Sequence, residues 1–231
     1  MFEYSSAANV AKERTLIKNV YIWMACGLAL TGLASLWMMS DMNRVASLYN
    51  SGTLWMLFIA ELILVFTLSA KIFSMKASTA TICFAAYSIL NGITLSPICL
   101  AYTSESLTST FFVTAATFAG MCLYASTTKR DLSGMGQYLV MALWGLIIAG
   151  IVNIFLKSGP FDSMISFVGV LVFCGLTAFD TQYILRMSRS YSNSIAEEDF
   201  VRFSIIGALK LYLDFINMFL YLLRFFGKRN N

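Results

Sequence analysis

The sequence predicts an all-α polytopic membrane protein of seven transmembrane helices, six of them surrounding the carboxy-terminal one. Three observations carry this. The 231 residues are 58% hydrophobic and 12% charged, with a mean hydropathy of +0.73, far outside the range of a soluble domain. The apolar residues form continuous runs of about 20, the length of a spanning helix, where barrel strands would alternate over roughly ten. The last run, 203–226, departs from a plain lipid-facing span. Gly207, Lys210, Asp214, Asn217, Tyr221 and Arg224 recur in it at steps of three and four, so they share one helical face that stays polar through the membrane. A carboxylate at bilayer depth costs about 3 kcal/mol on insertion scales. Asp214 must therefore face protein or water, and its helix must be wrapped by the others.

In chain order, residues 1–17 form a short polar segment ahead of an apolar run that ends near Met39. That run is too long for a signal-peptide core and has no small-x-small cleavage site before Ser40, so it is the first span. Spans at 54–73, 79–101, 108–127, 136–157, 163–185 and 203–226 follow, and residues 1–231 read as one domain. The loops are short except from Arg186 to Arg202, where Arg186, Arg189 and Arg202 mix with Glu197, Glu198 and Asp199 in an expected solvated hairpin.

Orientation follows from basic residues at the span ends. Lys12, Arg14, Lys18, Lys71, Lys76, Lys129, Arg130, Arg186, Arg189 and Arg202 collect on the amino-terminal side, against Arg44, Lys157, Arg224, Lys228 and Arg229 opposite. The amino terminus is expected in the cytoplasm and, with seven spans, the carboxyl terminus outside.

The net charge of +4 comes from these short loops and points to membrane orientation rather than nucleic acid. Cys26, Cys83, Cys99, Cys122 and Cys174 lie inside apolar runs at no metal-like spacing, so neither a disulfide framework nor a zinc site is expected. Histidine is absent, which removes every Ser-His or Cys-His catalytic arrangement; no enzyme and no resident cofactor are expected.

The chemistry sits on ionisable residues inside the spans: Glu61 in the second, Asp180 in the sixth, Asp214 and Lys210 in the seventh, with Lys71 at the end of the second. Lys71 can snorkel to the interface. Lys210, one turn before Asp214, can pair with it. Thr177, Thr181 and Gln182 give Asp180 a polar neighbourhood, and Asn217 does the same for Asp214. Carboxyls on consecutive antiparallel helices that meet would hold one proton between them and titrate as a unit. Depth is an objection: Asp180 is six residues, about 9 Å, from Arg186, while Asp214 is twelve residues, about 18 Å, from Arg202. Contact needs a sliding offset or a seventh helix that starts outside the bilayer.

AYTSESLTSTFF (101–112), TKRDLSGMG (128–136), VNIFL (152–156), VGVLVFCGLTAFDTQYI (168–184) and GALKLYLDFINMFLYLLRFFG (207–227) resemble the bacterial branch of the Bax inhibitor-1 family, also called the transmembrane Bax inhibitor motif family. The resemblance implies six helices around a seventh and a pH-sensitive calcium leak, in which aspartates corresponding to Asp180 and Asp214 share a proton and weakly bind the passing Ca2+. A basic latch from the end of the second helix corresponds to Lys71, where the family pattern has arginine; a point ammonium cannot clamp two carboxylates as a guanidinium does. Lys210 is a departure from the pattern that would tune the charge on Asp214. Some bacterial relatives are thought instead to act on a membrane protease or in stress protection, which gives an alternative without transport. A retinal protein is disfavoured because the lysine precedes the acid and span 79–101 has no acid. An intramembrane aspartyl protease is disfavoured because Leu211, Tyr212 and Leu213 stand where Gly-x-Gly is needed.

Overall fold

The computed structural model describes residues 2–50, 52–191 and 197–230, with side chains from Lys12 onward except at 49–50 and 190–191. The described residues form α1 (Phe2–Met39), α2 (Met42–Asn50), α3 (Thr53–Lys71), α4 (Ala77–Leu100), α5 (Ser104–Thr127), a 3-10 turn (Ser133–Met135), α6 (Gly136–Leu156), α7 (Gly159–Tyr191) and α8 (Glu197–Phe226). Seven of these, all but α2, are long and apolar enough to cross a membrane, one for each expected span. Among the described residues the sole β-type pairing is an isolated antiparallel bridge between Tyr102 and Arg229.

The polar residues 2–17 are helical and form the start of α1. Two stretches differ from expectation. Between the first two spans lies α2, whose Val45 and Leu48, three apart, pack on Met38, while Arg44 lies 4.3 Å above the Trp37 ring. The stretch from Arg186 to Arg202 is helical at both ends, because α7 runs to Tyr191 and α8 starts at Glu197; the rest of the expected hairpin, 192–196, lies outside the described residues. Arg202 explains the early start of α8, reaching back one turn to Glu198 at 2.8 Å and Asp199 at 2.7 Å. Glu197, Glu198 and Asp199 also occupy the first turn, where the helix dipole favours negative charge.

The chain divides into two compact units, Met1–Ala101 with Met187–Tyr212, and Tyr102–Arg186 with Leu213–Asn231. In the first, α1 and α4 approach closely at Gly92, where a Cβ would strike the Thr31 carbonyl and the Ala34 side chain. Pro97 sits inside α4 and cannot donate to the Ile93 carbonyl four residues back; the Ser96 hydroxyl donates to that carbonyl instead, at 2.7 Å. In the second unit α7 and α8 run antiparallel. Gly169 leaves room for the Tyr221 ring, and Phe173 packs with Met218 and Leu222. In the first unit the α8 residues Ala208, Leu209, Leu211 and Tyr212 are buried.

Candidate functional site

The register of α7 against α8 places the two aspartates. Phe173 stacks on Tyr221 with ring centroids 5.8 Å apart. Asp180 lies seven residues beyond Phe173, and Asp214 lies seven residues before Tyr221. On antiparallel helices both steps run the same way. Seven residues are two turns, about 10.5 Å, with only ~20° of drift around the axis, so both carboxyls return to the faces that meet in the stack, at a common depth. Asp180 is 7% exposed and Asp214 4%. Ahead of Arg202, α8 extends back to Glu197, so the helix begins before the apolar run. Farther along the same face Arg224 pairs with Asp162 of α7 at 3.3 Å, and Asp162 also accepts from the Asn153 amide at 3.3 Å.

The smaller polar residues spend their hydrogens elsewhere. Thr177 donates to its own helix at the Phe173 carbonyl, 2.8 Å, and Asn217 donates to the Leu213 carbonyl, 2.8 Å. Thr181 reaches the Cys122 sulfur on α5 at 3.4 Å. Gln182 turns to the α5–α6 connection, its Oε1 accepting from the Leu132 N–H at 2.7 Å and its Nε2 donating to the Arg130 carbonyl at 2.9 Å. Lys71 ends α3 exposed, where an ammonium can reach the interface. Lys210 is half-buried on α8, one turn before Asp214. Among the described residues no three Cys, Asp or Glu side chains gather as a metal cluster.

A second polar group stands in the first unit around Glu61, which is 8% exposed. Its Oε1 accepts from the Thr94 hydroxyl at 2.6 Å and its Oε2 from the Asn91 amide at 3.4 Å. Asn91 Oδ1 accepts from the Tyr212 hydroxyl at 3.1 Å, and Tyr212 lies 2.6 Å from Thr31 Oγ1. The Tyr212 ring is fixed edge-on by Phe84 and Tyr87. With Tyr212 donating to Asn91 and Asn91 to Glu61, the hydrogens run one way and end on the carboxyl, which satisfies it without a basic residue. Glu61 was visible in the sequence as a charge in an apolar run. Asn91, Thr94, Tyr212 and Thr31 were missed; the one available signal was the three-residue spacing of Asn91 and Thr94 on a single face of α4.

The family model described as inhibitor of apoptosis-promoting Bax1 matches residues 13–231. Inner membrane protein YbhL of Escherichia coli strain K12 is 45% identical over 218 residues, covering 94% of this chain and 92% of its own length. An uncharacterized protein of Borreliella burgdorferi strain B31 is 40% identical over 226 residues, covering 95% and 97%. Protein RP147 of Rickettsia prowazekii strain Madrid E is 39% identical over 218 residues, covering 94% and 91%. With the family model matched over residues 13–231 of the chain and seven apolar helices among the described residues, the chain belongs to the Bax inhibitor-1 family and is a multi-pass membrane protein.

Proposed function

We propose that the protein is a pH-sensitive leak for calcium or a similar cation, gated by one proton shared between Asp180 and Asp214. What supports this is the helix register: two buried carboxyls, each seven residues from the Phe173–Tyr221 stack in the direction that brings them level. With no histidine in the chain, a carboxyl pair is the group able to respond to a single proton. While the proton is shared, a hydrogen bond holds α7 and α8 together and the path beside α8 is closed. Its loss replaces attraction by repulsion, and the helices part as pH rises. Two ionised carboxylates are hard oxygen ligands but fall short of the six to eight oxygens calcium takes, so water and carbonyls complete a weak shell, as conduction needs. Lys210 tunes the charge on Asp214, and Lys71 serves as a loose latch from the end of α3. The protein sits in a bacterial inner membrane, the location that the name YbhL gives its relative, with the amino terminus in the cytoplasm and the carboxyl terminus outside.

Calcium entry into proteoliposomes across a pH series tests the reading. Flux above protein-free vesicles that rises with pH, with the rise altered by Asp180→Asn, is expected. Flux at the vesicle background at every pH would instead favour the non-transporting alternative, a membrane stress protein acting on a protease or another membrane partner.

A further inference from the structure

We infer that Gln182 is a positioning residue of the proposed gate: its side-chain amide clamps the α5–α6 connection onto α7 two residues after Asp180, so α7 presents that carboxyl from a fixed place. The inference rests on the aspartate gate proposed above. Gln182 binds the connection at both ends of its amide, accepting from the Leu132 N–H at 2.7 Å and donating to the Arg130 carbonyl at 2.9 Å. It thereby satisfies two backbone groups of a turn that would otherwise need water.

Neighbouring residues of α7 complete the contact. Ala178 packs with Leu132 of the connection and Ala125 of α5. The Phe179 ring closes over Gly136 at the start of α6, where a Cβ would come within 2.7 Å of it. Thr181 donates to Cys122 of α5 at 3.4 Å. Arg186, one turn beyond Gln182, donates to Asp131 at 2.5 Å and also to the Ser133 hydroxyl. On the face toward α8, Phe173 packs with Tyr221, Met218 and Leu222, and Asp162 pairs with Arg224 at 3.3 Å.

A hydrogen-bonded clamp is either made or broken, so Asp180 keeps its place while both Gln182 bonds hold. The charged groups facing the clamp are Arg130, Asp131 and Arg186, and Asp131 is already paired with Arg186, so the clamp stays closed through the neutral range.

Two measurements test this: calcium flux against pH, and hydrogen exchange along the full-length protein in the same vesicles, for wild type, Gln182→Met and Gln182→Asn. In wild type, exchange in 128–136 and 176–186 should stay slow on both sides of the pH transition. Gln182→Met keeps the length and loses the amide; exchange at the Leu132 amide should rise about fivefold or more, and the flux midpoint should move down by about half a pH unit, because a displaced Asp180 holds the shared proton less tightly. Gln182→Asn, one methylene short, should fall between. The inference is overturned if exchange at Leu132 rises with the midpoint unmoved, if it does not rise, or if 128–136 and 176–186 quicken in wild type across the pH transition. A wild type without any pH transition overturns the gate itself, and this inference with it.

Discussion

Tyr212 shows how much a single hydroxyl organises here. It is fully buried, and its oxygen joins Asn91 of α4 to Thr31 of α1. Tyr212→Phe removes no ring packing but leaves the Asn91 Oδ1 with one donor fewer, and a buried group so deprived costs about 1–3 kcal/mol. Thermal unfolding in detergent should show the loss; an unchanged midpoint would mean that water replaces the hydroxyl. At the surface, Asp131 gives a pH signature. The Ser133 hydroxyl and amide, helped by Arg186, hold its carboxyl below the ordinary value. A depressed carboxyl stabilises the fold above its unfolded value, and that stability is lost as pH falls through the folded value. Asp131→Asn should thus lower the unfolding midpoint slightly at neutral pH and have no effect below the ordinary carboxylate range, a small difference because the site is exposed. Asp180, Asp214 and Glu61 were legible in the sequence because a charge in an apolar run is costly and stands out. The partners of Glu61 were not, because hydroxyls and amides are common in spans and Thr31 lies 181 residues from Tyr212.

At the scale of elements, the α7–α8 register depends on Gly169. A Cβ there would lie 2.6 Å from the Tyr221 ring, so Gly169→Val must displace the ring that stacks on Phe173. The expected cost is about 1–3 kcal/mol of stability. Gly145→Ala on α6 is the control, since a Cβ there meets nothing within 4 Å, and it should be neutral or stabilising by up to about 1 kcal/mol. Equal effects at both positions in the same unfolding assay would show that Gly169 does not set the register. The seven spans were legible because a bilayer demands about 20 apolar residues per crossing. The helical ends were not, since α2 and the first turn of α8 are polar and owe their helicity to contacts that hydropathy does not weigh: Val45 and Leu48 on Met38, and Arg202 on Glu198 and Asp199.

For the molecule as a whole, the odd number of spans sets a topology. Accessibility mapping with introduced cysteines should find Lys76, Arg130 and Arg189 on the cytoplasmic side with the amino terminus, and Asn231 opposite; both termini on one side would remove the seven-crossing arrangement. The membrane fold class could be read from composition alone, whereas the site needed the register, because nothing in two separate apolar runs says which residues come level. The claim that depends on that register is that Asp180 and Asp214 act as one proton-binding unit. It is tested most directly by calcium flux into proteoliposomes across a pH series for wild type, Asp180→Asn, Asp214→Asn and the double variant. If the pair shares a proton, each single change alters the pH profile and the double variant matches the singles, since the effects of a coupled pair do not add. Four identical profiles, or single effects that simply add in the double variant, would contradict it.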